Sequence, residues 1–320
     1  NDYDKAADLF LDAETHYKKS ENHLGLAAVY NNIGVLFQFK GEYDNSEEMY
    51  KKSLELERNR YNLKGISVCY NNLGGLMDDK GNRSESIYYL KEALKIQTLL
   101  NEPYQITNIY NNLGVTYMDE KNYKHSEDAF RKSLEIAINF NFFRVLIPTY
   151  NNLGTLFNAK GDWDKAIEYY QKAIDKCLEY DDFDGLIISY SNLGEIYEKR
   201  GEFNIAYDLY FKGLELLPKV TDENIKADLF GNIGSVLTSL HKFKEAYSYL
   251  VESLDFFKSV DAKHKIVEGY QKQAMYFVMT HNFESAAYYL SQALAIAEEL
   301  NLTNELGKSY YLKAILERDD

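Results

Sequence analysis

Tyr150-Asn151-Asn152-Leu153-Gly154 is followed by Gly161-Asp162-Trp163-Asp164-Lys165-Ala166-Ile167 and then by Tyr170-Gln171-Lys172-Ala173-Ile174. The first string has copies starting at Tyr30, Tyr70 and Tyr110, reading Tyr-Asn-Asn-Ile-Gly or Tyr-Asn-Asn-Leu-Gly. Worn copies stand at Tyr190-Ser191-Asn192-Leu193-Gly194 and Phe230-Gly231-Asn232-Ile233-Gly234. The spacing is 40 residues each time. A fixed period of this size predicts a solenoid of stacked units rather than one closed globule. Stacked units present a long regular surface, which favours binding over a single catalytic pocket.

With the tyrosine set at position 4, the first full unit is 27–66. Positions 4, 7, 8 and 11 hold Tyr30, Ile33, Gly34 and Phe37, then Tyr70, Leu73, Gly74 and Met77. That spacing is one face of an α-helix, helix A. Gly in mid-helix costs about 1 kcal/mol against Ala, so a recurring glycine at position 8 implies close approach of a second helix. Gly41, Gly81, Gly161 and Gly201 at position 15 mark the helix stop. Beyond it, small residues at position 20 (Ser46, Ser86, Ser126, Ala166) and bulky ones at 24 (Tyr50, Leu90, Phe130, Tyr170) define helix B. Large side chains of one helix face small ones of the other, as interdigitated packing requires. Each unit reads as an antiparallel helical hairpin.

The string from Tyr150 to Ile174 resembles the tetratricopeptide repeat consensus almost residue for residue, and Pro218 falls where many members carry a proline after helix B. The resemblance covers essentially the whole chain. It implies an all-α, right-handed superhelical solenoid of about sixteen helices. The unit is longer than the family's usual one, the extra residues lengthening helix B and its loop, as from Glu57 to Leu63. Units of 40 residues resemble kinesin light chains, Pins-type adaptors and repeats of bacterial signalling proteins. The expected organisation is one solenoid over 1–320. It holds a half repeat 1–26, full repeats 27–66, 67–106, 107–146, 147–186, 187–226, 227–266 and 267–306, and a half repeat 307–320. Tyr3, Ala6, Phe10 and Ala13 read as a helix B without its helix A, and Tyr310 and Ala314 as a helix A without its partner. Asn1 reads as a cut and Asp319 with Asp320 as a polar finish, so the chain is expected to be a fragment of a longer protein.

A net charge of −14 argues against a nucleic acid backbone as partner. No stretch approaches the roughly 18 apolar residues of a membrane helix, and no leader pattern opens the chain. Cys69 and Cys177 occupy different places in the repeat, so neither a disulfide framework nor a zinc site is expected. A cytoplasmic location is the default. The six histidines lack metalloprotease spacing, and His241 and His281 take the turn position of the glycines. The glycines lie within or after helices, with no strand and no Gly-Lys-Ser/Thr, which excludes a phosphate loop. No catalytic constellation and no cofactor is expected, and the chain is read as a non-enzyme.

Positions 2, 5, 6, 9, 12 and 13 of helix A lie opposite the packing face. In the tetratricopeptide family, the resemblance implies, this side lines the concave groove where peptides bind. Position 6 holds Asn32, Asn72, Asn112, Asn152, Asn192 and Asn232, and then Lys272; position 5 holds Asn31, Asn71, Asn111 and Asn151, then Ser191, Gly231 and Gln271. Helix propensity does not explain paired asparagines in helix middles. A carboxamide has one acceptor and two donors and can satisfy both polar groups of an extended main chain. Related superhelices use such an asparagine ladder, which this chain resembles at position 6. The alternative is that the amides bond to the neighbouring helix A or to water. Specificity is expected from Asp78, Asp79, Asp119, Glu195, Glu198 and Met118, with Asp228 and Glu268 adding to the acids and only Lys199 and Lys272 opposing them. The matching ligand is a neutral to basic extended segment. The Lys and Arg cluster that grips a carboxyl terminus in chaperone-binding members is missing. The leading expectation is a protein- or peptide-binding scaffold. A second is a sensory or regulatory segment of a multidomain bacterial signalling protein with its kinase, cyclase or DNA-binding output outside this chain. A third is self-association through the terminal helices.

Overall fold

The computed structural model describes residues 2–300 and 302–319. Asn1, the side chains of Tyr3 and Ala6, and the polar finish at Asp319 and Asp320 lie outside the described residues. The chain divides into two compact units, 1–156 and 157–320. The first holds α1 (Asp2–Lys19), α2 (His23–Phe39), α3 (Tyr43–Asn59), α4 (Leu63–Asp79), α5 (Arg83–Leu100), α6 (Pro103–Asp119), α7 (Tyr123–Asn139) and most of α8 (Phe143–Ala159). The second holds α9 (Trp163–Tyr180), α10 (Phe183–Lys199), α11 (Phe203–Leu216), α12 (Glu223–Ser239), α13 (Phe243–Ser259), α14 (Lys263–Met279), α15 (Phe283–Glu299) and α16 (Thr303–Asp319). All sixteen are α-helices, and the described residues contain no strand.

Within each unit successive helices pack as hairpins: α2 on α3, α4 on α5 and α6 on α7 in the first, α10 on α11, α12 on α13 and α14 on α15 in the second. The position-8 glycine is the pivot of this packing. A Cβ on Gly114 would lie 2.4 Å from Phe130 Cε1, and one on Gly194 would lie 2.4 Å from Tyr210 Cε1. Bulk at position 24 therefore fills the space that the missing methyl leaves. In the first unit the small residue at position 20 adds a polar tie. The Ser46 hydroxyl donates to the Gly34 carbonyl at 2.8 Å, and Ser126 donates to that of Gly114 at 2.7 Å. In the second unit alanine takes the place, at Ala206 and Ala246, and is fully buried.

Both inter-helix turns use the left-handed region. Gly41, Gly81, Gly161 and Gly201 have φ of +74° to +80°, and His241 and His281, at 59° and 57°, hold the same place. A second left-handed residue follows helix B, as at Tyr61 and Asn101. Helix A therefore starts ahead of the boundary drawn from the tyrosine: α4 begins at Leu63, inside 27–66, and α6 at Pro103, inside 67–106. One helix B departs from the pattern. α11 stops at Leu216, a 3-10 turn covers Leu217–Lys219 around Pro218, and Val220 is extended, because proline cannot continue the helical hydrogen-bond ladder.

Cys69 and Cys177 are free and buried. Burial pushes the Cys177 thiol up to about 12, so it stays protonated as a small core residue.

Candidate functional site

The amides of positions 5 and 6 lie on the middle turns of α2, α4, α6 and α8 in the first unit, and there they meet one another. Asn72 Nδ2 donates to Asn31 Oδ1 at 2.8 Å, and Asn112 Nδ2 to Asn71 Oδ1 at 3.0 Å. Asn152 Nδ2 donates to Asn111 Oδ1 at 3.2 Å, which also accepts from the Thr149 hydroxyl at 3.3 Å. Position 6 of each helix A thus ties to position 5 of the preceding one. Each bond contributes about 0.5–1.5 kcal/mol net. It uses one hydrogen of one amide and one lone pair of the other, and leaves the rest of both groups open. Asn32 is exposed, while Asn72, Asn112 and Asn152 are half-buried and Asn151 is buried.

Beside these pairs, Val35, Gln38, Phe39, Asn71, Asn72, Gly75, Asp79 and Asn112 enclose an open cleft of about 250 Å³. Neither Asp79 in this cleft nor the acids near it are isolated. Gln38 Nε2 donates to Asp79 at 2.6 Å, while Gln38 Oε1 accepts from the Tyr50 hydroxyl at 2.8 Å. Asp78 and Asp119 share Arg83, whose guanidinium lies 3.0 Å from Asp78 Oδ1 and 3.4 Å from Asp119 Oδ2. Burial pushes the Asp78 carboxyl up to about 6, with Arg83 opposing and Asp119 reinforcing the shift. Met118 is half-buried next to Asp119 in the chain. Other repeats carry an aromatic where Arg83 stands, as at Tyr43, Tyr123, Trp163 and Phe203, and this break in the pattern is the sequence signal for the ionic link.

In the second unit the same helix positions carry charge. A cleft of about 550 Å³ is lined by Glu195, Glu198 and Lys199 of α10, by Asn232 and Ser235 of α12, by Glu268, Gln271 and Lys272 of α14, and by Lys308 and Tyr311 of α16. Where Gly231 removes the position-5 acceptor, the longer Lys272 reaches over it and donates to Asn232 Oδ1 at 2.8 Å. A Cβ at Gly231 would sit 3.0 Å from that ammonium nitrogen. Glu198 receives the Tyr210 hydroxyl at 2.5 Å and the Ser235 hydroxyl at 3.1 Å, and burial raises its pKa despite these bonds. Glu195 pairs with Lys199 at 2.7 Å. Desolvation lowers the Lys272 pKa. Burial acts to raise that of Glu268, but the neighbouring cations Lys265, Lys272 and Lys308 outweigh it and hold the carboxyl below its usual range. Asn192 is half-buried, with no side-chain hydrogen bond among the described residues.

The described residues contain no cluster suited to a metal ion and no helix long and apolar enough to cross a membrane. A tetratricopeptide repeat family model matches residues 1–59, 25–99 and 146–219, more than half of the sequence. The chain belongs to the tetratricopeptide repeat family. A second tetratricopeptide repeat model matches residues 107–137. No curated protein matches the sequence significantly. Among solved structures, tetratricopeptide-like solenoids align along most of the chain. A Rap protein complexed with competence and sporulation factor aligns with a TM-score of 0.69 at 17% identity, over 87% of this chain and 76% of that one. Aspartyl phosphate phosphatase F from Bacillus subtilis gives 0.69 at 16%, over 91% and 74%. NprR in complex with its cognate peptide NprX gives 0.60 at 16%, over 99% and 98%. At such identities these likenesses establish the fold.

Proposed function

We propose that this tetratricopeptide repeat chain is a non-catalytic scaffold whose helix-A face holds an extended peptide through its asparagines. The observation that carries the reading is the amide pairing itself. Each pair fixes two carboxamides in position while leaving donors and acceptors uncommitted, so the polar groups are ordered before a ligand arrives. That preorganisation lowers the entropy cost of binding a main chain. The similar fold of NprR, solved in complex with its cognate peptide, supports a peptide as the class of ligand. Acids at Asp78, Asp79, Asp119, Glu195 and Glu198 favour a neutral to basic segment, because like charges disfavour an acidic one. Met118, Val35 and Phe39 supply apolar contact at the side.

Peptide display against the purified chain tests this, with Asn112→Ala plus Asn152→Ala as control. Selected peptides are expected to be short of Asp and Glu and to bind the control several-fold more weakly while its helical signal persists. Peptides that bind both proteins equally would restrict the asparagines to tying helices together.

A further inference from the structure

A second cleft lies away from this face, between α12 and α13. At three repeats the tyrosine at position 4 of helix A meets the side chain twelve residues earlier, at the end of the preceding helix B. Arg58 donates to the Tyr70 hydroxyl at 2.7 Å and lies 5.8 Å from the ring centre. Lys258 sits 4.9 Å over Tyr270, and Glu298 accepts from the Tyr310 hydroxyl at 3.2 Å. At Phe230 the corresponding residue is Pro218, and the cation over the ring comes instead from helix A itself, Lys226 at 5.5 Å from the ring centre. α11 has already ended, and the next residue, Lys219, turns to lie 4.2 Å over Phe183 instead.

Beside Phe230 lies a cleft of about 620 Å³. Its floor is apolar: Ala227, Phe230, Val251 and Phe256. Its rim carries Glu223, Glu252 and Asp255. One cation faces them, Lys226, which is 3.3 Å from Glu223 and 3.8 Å from Glu252. The carboxylates are therefore in excess, three to one, over an apolar floor.

We propose that this cleft is a second binding site, for a peptide segment that presents a large apolar side chain beside a lysine or arginine. The apolar side chain takes the floor over Phe230 and Val251, and the cation takes the surplus charge of Glu252 and Asp255. The site shares no residue with the helix-A face, so it stands whether or not that face binds peptide.

The test uses a capped Gly-Ser heptapeptide with Phe-Arg at its centre, titrated by calorimetry into the whole chain. Peptides with Phe-Glu or Ser-Arg at the centre serve as controls. Saturable binding is expected for Phe-Arg, weaker by about tenfold for either control. Glu252→Lys with Asp255→Lys, both on the exposed surface, should abolish the preference for Arg, and Asn112→Ala with Asn152→Ala should leave it unchanged. Four outcomes would overturn the proposal: no saturation at millimolar peptide, equal binding of all three peptides, binding lost in the asparagine variant alone, or a dimer in sedimentation that the Lys substitutions dissolve. The last would make a second copy the occupant.

Discussion

The two units present the same helix positions with different chemistry. In 1–156 the inner positions of helix A are neutral amides that bond one another, and serine ties the hairpins from below. In 157–320 position 5 reads Ser191, Gly231 and Gln271, position 6 passes from Asn192 and Asn232 to Lys272, and position 12 becomes Glu198 where the first unit has Gln38. Tyr50 donates to Gln38 and Tyr210 to Glu198 from equivalent places, so the frame is kept while an amide acceptor gives way to a carboxylate. The backbone architecture thus tolerates exchange of the wall. At the helix crossing glycine faces a bulky partner in both units, and alanine takes its place at Ala274, opposite Leu290.

That contrast yields graded expectations. The largest effect should be common to both units. Gly114→Ala and Gly194→Ala each force a methyl into an aromatic ring and should destabilise by about 1–3 kcal/mol in denaturant unfolding, despite a better helix propensity. Gly75→Ala, whose Cβ would meet nothing nearer than 3.9 Å, should stabilise by about 0.5–1 kcal/mol. If Gly114→Ala stabilised as well, the close-packed crossing would be wrong.

Next come the walls. Asn232→Ala strips the Lys272 ammonium of its acceptor and should cost about 1–3 kcal/mol, the range for a charged donor left unmet. Asn31→Ala leaves a neutral amide with access to water and should cost about 0.5–1 kcal/mol. Equal costs would erase the distinction between the units. Gly231→Asn with Lys272→Asn should recover most of the loss by rebuilding the pair seen at Asn71 and Asn112.

A smaller effect depends on pH. The folded-state pKa of Asp78, about 6, lies above its ordinary value, so the folded state binds that proton more tightly. Its contribution to stability is full below about pH 4 and is lost as pH rises through 6. Asp78→Asn should therefore gain roughly 1–2 kcal/mol on the parent between pH 4 and 7, after allowing for partial solvent screening. A constant difference across that range would exclude the shift.

Fold and site were legible to different degrees for a physical reason. Helix hairpins follow from spacing, because apolar contact depends on period and on bulk at Gly34 or Tyr50, which a sequence displays. The amide pairing joins residues 41 apart on neighbouring helices. It depends on which rotamer each Asn adopts, and composition does not record that. Arg83 and Gln38 as partners of the acids were missed likewise, since the sequence shows charges and not the side chains that reach them.

The most direct test of the central claim uses amides that tie down nothing else. A display-selected peptide titrated into Asn32→Ala and into Asn192→Ala should bind about two- to tenfold more weakly than to the parent, the loss of about one hydrogen bond each, with the melting temperature unchanged. Unchanged affinity in both variants would contradict a main chain held by the asparagines.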